Sequence, residues 1–104
     1  MTTFDDRERG FENKFAHDAE MQFKAGARRN RLLAEWAAGI LGKTGPEAAD
    51  YAREVARSDL QEAGDEDVFR KVAADLAGSV DEATIRARMA SLLAEAKSQL
   101  SREP

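Results

Sequence analysis

Ala37-Ala38-Gly39-Ile40-Leu41-Gly42-Lys43-Thr44 comes within one position of a phosphate-loop signature. In such a loop, glycine amides and a lysine cradle a nucleotide's phosphates, and the next hydroxyl holds magnesium. That chemistry needs a strand before the loop and a helix that starts at the Lys-Thr pair. Here the first five positions continue a helical pattern and no strand precedes them. Gly42, Lys43 and Thr44 therefore read first as a helix-ending loop, and beyond that as a weak nucleotide contact through backbone amides and one cation. His17 is the only imidazole. It is a candidate for titration near neutral pH, set against the plainer reading of an exposed junction residue. Asp65-Glu66-Asp67 lacks the spacing of a calcium loop and reads as acid favourably placed at a helix start. No nucleophile–base pair, metal cluster or catalytic carboxylate pair assembles from the sequence, so neither an enzyme nor a resident cofactor is expected.

The composition narrows the classes further. The chain has 104 residues, 35% of them charged, and no cysteine. It is long enough for one domain with a lean core. Disulfides and thiolate metal sites are excluded, and with one histidine a zinc site would have to rest on carboxylates. The net charge of -4 is unevenly spread. Residues 1–20 carry a net -3, residues 21–45 a net +4 and residues 46–104 a net -5. An acidic chain is a poor nonspecific nucleic-acid binder, so no nucleic-acid partner is expected. No apolar run reaches the length of a membrane span, and the N-terminus is acidic and polar where a secretory signal would be basic and then apolar. These features predict a cytoplasmic protein with no direct membrane insertion.

The elements that must carry any site are helices. Alanine is abundant, β-branched residues are sparse, and Gly42–Pro46, Gly64 and Gly78-Ser79 punctuate the chain. Helices are predicted over about 19–41, 46–63, 66–77 and 81–101. Asp18 is the expected cap of the first, and Met21, Ala25, Leu32, Leu33, Trp36 and Ile40 its apolar face. Gly26 inside it is expected to loosen the helix locally. Thr44 and Glu47 predict a capping box for the second helix, with Pro46 in its first turn and Ala48, Tyr51, Ala52, Val55 and Leu60 buried. Val68, Phe69, Val72 and Leu76 line the third. The fourth starts with Ser79 and Glu82 as a capping box or with Asp81 as cap, and buries Ile85, Met89, Leu92, Leu93, Ala96 and Leu100. Four amphipathic helices joined by short loops predict an all-α four-helix bundle over residues 18–104, with Trp36, Phe69, Leu92 and Leu93 in the core.

Residues 1–17 form a mobile arm on this reading. Their only large aromatics, Phe4, Phe11 and Phe15, fall within roughly 40° of one another on a helical wheel. Around them Asp5, Asp6, Arg7, Glu8 and Arg9 are densely charged, and Gly10 costs about 1 kcal/mol of helix stability. So short a segment is disordered alone and can fold as an amphipathic helix onto a groove. The pattern fits equally a stripe that folds back onto the bundle.

The run FDDRERGFENKF, the Arg28-Arg29-Asn30 triplet and LLAEWAAGILGKTG, in that order, resemble the ζ subunit family of F-type ATP synthase inhibitors of α-proteobacteria. The resemblance extends over the whole chain. It implies a four-helix bundle whose N-terminal region enters a catalytic α/β interface of the ATPase head near the γ shaft, becomes helical and blocks ATP hydrolysis. Carried onto this chain, the inhibitory stretch is Thr2–Phe15, with Phe4, Asp5, Asp6, Arg7, Glu8, Arg9, Gly10, Phe11, Glu12, Asn13, Lys14 and Phe15 against the α, β and γ subunits. Lys24, Arg28, Arg29 and Arg31 then form either a second contact with an acidic surface of the head or a solvated helix face. The location implied is cytoplasmic, at the inner membrane through the synthase, with the free protein a monomer. The alternative is a small nucleotide-sensing or scaffold bundle with its ligand at Gly42–Thr44.

Overall fold

A computed structural model describes the backbone of residues 3–59 and 64–103, and side chains from residue 17 onward within that span. Four helices follow in order: α1 (Thr3–Leu41), α2 (Gly45–Ser58), α3 (Glu66–Asp75) and α4 (Glu82–Arg102). There is no strand among the described residues. Sequential helices are neighbours, and α4 returns to pack along α1.

The first helix departs from expectation at its start. Asp18 is not a cap, because α1 runs through it from Thr3. Between Gly10 and Gly26 there is no glycine or proline to end a helix, and Ala16, Ala19, Glu20 and Met21 favour its continuation. Gly26 is likewise accommodated within the helix. The C-terminal end is as expected: Gly42 takes φ 74, Lys43 N–H bonds to the Ala38 carbonyl at 2.9 Å, and Gly42 N–H to that of Gly39 at 3.3 Å. This double closure satisfies carbonyls that the helix end would orphan.

Thr44 is the N-cap residue of α2, but its side chain makes no cap bond, so the predicted capping box does not form. Gly45, the first residue of α2, takes φ 54, a conformation cheap only for glycine. The Thr44 carbonyl accepts from Glu47 N–H instead, at 3.2 Å. The second helix also stops short of residue 63. Its last residue, Ser58, turns its hydroxyl back onto the Val55 carbonyl at 2.6 Å, and Asp59 is drawn off by Asn30 at 3.0 Å. Side chains of this kind compete with the helical ladder. The expected core position Leu60 lies outside the described residues. At α4 the choice between caps resolves to Asp81, whose carboxylate accepts from Thr84 N–H at 2.7 Å.

The core forms where α1 meets the other three helices. Leu33, Val55, Val68, Val72, Leu76 and Ile85 are fully buried. Ala34, Ala37 and Ala38 are buried beside Leu33, and their small side chains let α2 and α4 approach α1 on two sides. Phe69 is buried under the Arg86 guanidinium, 3.7 Å from its ring centre. Trp36, Leu92 and Leu93 are half-buried at the margin of the core, not within it, and Arg88 lies over the Trp36 ring at 5.2 Å. Ile40, expected to be buried, is 40% exposed because the face beside Ala37 and Ala38 takes the contact.

Tyr51 carries a test of this packing. Its ring is buried and its hydroxyl donates to Asp75 at 2.9 Å. Burial first, and the Asp75 hydrogen bond second, push the phenol well above its ordinary value of 10.0. Tyr51 is the only tyrosine, so ultraviolet titration reads it cleanly. The folded protein should show no phenolate where free tyrosine ionises. The neutral phenol is favoured in the folded state, so its contribution is complete below pH 10 and is lost as pH rises towards the native value. Tyr51→Phe should remove this alkaline loss and cost about 1 kcal/mol at neutral pH.

Candidate interaction surface

The long first helix positions every residue singled out in the N-terminal half. At about 1.5 Å per residue its 39 residues reach about 58 Å, close to the 61 Å longest dimension of the molecule. The side chains of Phe4–Phe15 lie outside the described residues. Their positions on the helix follow from its backbone. Asp5, Glu8 and Glu12 flank the phenylalanine stripe on one side, and Arg7 and Lys14 on the other. Among described side chains, Met21 is the first along α1 to be half-buried and Ala25 the first buried. His17 is exposed.

The basic run does not form one surface. Arg29 is only 2% exposed. Its Nε donates to the Asn30 side chain at 2.8 Å and its Nη2 pairs with Asp65 at 2.9 Å. Arg28 reaches α4, bonding Gln99 at 3.0 Å and Glu103 at 2.6 Å, and holds the Glu103 carboxyl below the usual carboxylate range. Asn30 takes Asp59. The Arg28-Arg29-Asn30 triplet thus ties α1 to the C-terminal end of α4, the start of α3 and the end of α2. Lys24 and Arg31 are exposed and pair along the same helix with Glu20 at 3.0 Å and Glu35 at 4.0 Å, and both also add to the positive field on Glu103. The acidic trio at the start of α3 is also divided among partners. Asp65 takes Arg29, Glu66 takes both Arg86 nitrogens at 3.1 and 3.2 Å, and Asp67 takes Arg70. Arg86 holds the Glu66 carboxyl below its usual range.

At the Gly42–Thr44 loop, the Gly42 and Lys43 amides are those that close the end of α1. The Lys43 ammonium lies 6.0 Å from the Tyr51 ring centre. No group of acidic and histidine residues suited to a metal ion occurs among the described residues. No described helix is long and apolar enough to cross a membrane.

One feature escaped the sequence reading. Phe23 is 77% exposed, about 100° round α1 from Phe4, and so off every stripe that periodicity selected. It stands on an open groove of about 1110 Å³ between α1 and α2. Ala19, Gly26 and Ala27 of α1 and Ala52 and Ala56 of α2 line it, with exposed Arg31, Arg53 and Arg57 also on its walls. The signal that could have found it is an aromatic among small residues, beside arginines that a helical repeat places on the next helix.

A long helix braced by three shorter ones defines the class, a small all-α bundle whose first helix carries a charged, aromatic N-terminal segment. The chain belongs to the ATPase inhibitor subunit zeta family, which matches residues 1–99. Its coarse role is therefore that of an ATPase inhibitor subunit. A protein solved by solution NMR is 55% identical to it, with a TM-score of 0.73, over 81% of this chain and 99% of that one. None of the curated proteins compared with it matches.

Proposed function

We propose that the chain inhibits ATP hydrolysis by the F-type ATP synthase through residues 2–15, which occupy a catalytic α/β interface near the γ shaft as a helix. The observation that supports this most directly is the family match, which includes the N-terminal segment along with the bundle. The continuity of α1 supports it too, since a helix braced by α2 and α4 can present its N-terminal turns to a cleft. Phe4, Phe11 and Phe15 bury their rings in the closing interface. Asp5, Asp6, Arg7, Glu8, Arg9, Glu12 and Lys14 set orientation by charge complementarity more than they add affinity. Gly10 and Asn13 complete the segment. Rotation in the synthesis direction can expel it. Exposed Lys24 and Arg31 make the secondary contact with an acidic surface of the head, while Arg28 and Arg29 hold the bundle together. The protein acts in the cytoplasm, at the membrane only through the synthase.

The test is ATP hydrolysis by the cognate head, titrated with the full chain and with a chain lacking residues 1–15. Inhibition by the first and none by the second is expected. Equal inhibition by both would move the active surface to the bundle and overturn the reading.

A further inference from the structure

We propose that Glu103 is a built-in competitor for the basic stripe of α1. In the free chain it occupies Arg28 and weakens the pull of Lys24 and Arg31 on acidic partners. On docking it yields its place to a carboxylate of the ATPase head. The inference rests on the proposed function and names what regulates its secondary contact. Lys24, Arg28 and Arg31 stand at intervals of four and three along α1, within about 60° of one another on its wheel. Glu20 and Glu35 continue the same stripe at its two ends and pair with Lys24 and Arg31. The middle cation is answered from another helix. Arg28 Nη1 lies 2.6 Å from Glu103 and 3.0 Å from Gln99 of α4. The three cations of the stripe are thus matched by three carboxylates.

The three pairs are not alike. Those of Glu20 and Glu35 lie within one helix, at a spacing fixed whether or not a partner is present. Glu103 follows Arg102, the last residue of α4, on extended backbone at φ -80 and ψ 140. Its side chain is 47% exposed against 18% for Arg28. It can turn away without unwinding α4, and Arg28 keeps its tie to α4 through Gln99. The Arg28 hydrogen bond, together with the fields of Arg28, Arg31 and Lys24, holds the Glu103 carboxyl below its usual range, so this one carboxylate acts on all three cations. Lys24 and Arg31 stand about 10 Å apart along the helix, within about one screening length at moderate salt. By the same fields, Glu103 lowers the positive potential that both present to an incoming acidic surface, and it repels that surface itself. Losing its charge therefore speeds encounter.

Surface plasmon resonance of the full chain over the immobilised cognate head tests it. Glu103→Gln keeps an acceptor for Arg28 and removes only the charge. It should associate about threefold to tenfold faster than the unaltered chain at low salt, the difference closing above about 0.5 M salt. Gln99→Glu places a second carboxylate beside Arg28 and should associate more slowly. Adding Lys24→Gln and Arg31→Gln should shrink the gain from Glu103→Gln, which a purely structural tie between α1 and α4 would not do. Should Glu103→Gln lower the thermal midpoint, the slower association of Gln99→Glu decides alone. Equal association of Glu103→Gln and the unaltered chain at low salt overturns the competitor, as does a gain that ignores Lys24 and Arg31 or persists at high salt. A head that binds no chain overturns it together with the inhibitory reading. Faster association by Glu103→Gln without inhibition of hydrolysis would uphold the competitor and defeat the inhibitory reading. Full inhibition with equal association does the reverse.

Discussion

Replacing Phe4, Phe11 and Phe15 together by alanine is expected to weaken inhibition of ATP hydrolysis at least about a hundredfold, with the unfolding of the bundle unchanged. Each ring fully desolvated in an interface contributes about 1.5–3 kcal/mol, and a hundredfold loss corresponds to only about 2.7 kcal/mol. The charged residues between the rings remain in the variant, so encounter with the head should slow little and the loss should appear mainly as faster release. The measurement is the concentration for half-inhibition, with release followed after dilution. Unfolding by heat provides the control, because the substitutions leave the core residues Leu33, Val55, Val72 and Ile85 in place. A variant with all three rings gone and undiminished inhibition would transfer the effect to the charges, and the aromatic mechanism would fail.

Asp65→Ala should be the most damaging substitution of an exposed residue in the bundle. Its side chain is 60% exposed, whereas that of its partner Arg29 is 3% exposed. Removing the exposed member leaves a buried guanidinium with its charge uncompensated. Breaking a buried pair in this way costs about 3–5 kcal/mol, and solvent near the Asp65 end places the expectation at about 3 kcal/mol. For a domain of this size that lowers the melting temperature by roughly 12–20 °C. Asp65→Asn, which keeps an acceptor oxygen, should lose less.

The pH dependence distinguishes this pair from simple packing. The hydrogen bond from Arg29, opposed by partial burial, holds the Asp65 carboxyl below its usual range. Its contribution is complete above the ordinary aspartate range and is lost as pH falls through the lowered native value. The stability gap between the unaltered protein and Asp65→Ala should therefore narrow only in acid. A gap that stayed constant there would assign the cost to packing alone.

The paired roles of these residues show where sequence reasoning reached its limit. Helix periodicity found Leu33, Val55, Val68, Val72, Leu76 and Ile85 because a buried face repeats at short, fixed intervals along one helix. It identified Gly42 as the end of α1 for an equally local reason, since positive φ is cheap only for glycine. It could not separate Arg29 from Lys24 and Arg31, which look alike as a basic run. Arg29 is committed to Asp65, 36 positions away, and that pairing exists only once α1 and the start of α3 are brought together. Ile40 and Trp36 went to the margin for a similar reason. On a helix packed from two sides, alanines permit the closest approach, and bulkier residues are displaced outward.

By itself, the sequence determined the all-α class, the number of helices, most of the core and the family. Each of these rests on patterns within one helix or on an ordered run of residues. The continuation of α1 through Asp18 was also implicit locally, in the absence of any breaker between Gly10 and Gly26. Tertiary structure alone decided which charges are structural, how the Arg28-Arg29-Asn30 triplet divides among α4, α3 and α2, and that Phe23 stands exposed on a groove. Those outcomes depend on which helices meet, because burial and pairing across helices are properties of distances that no interval along one helix encodes.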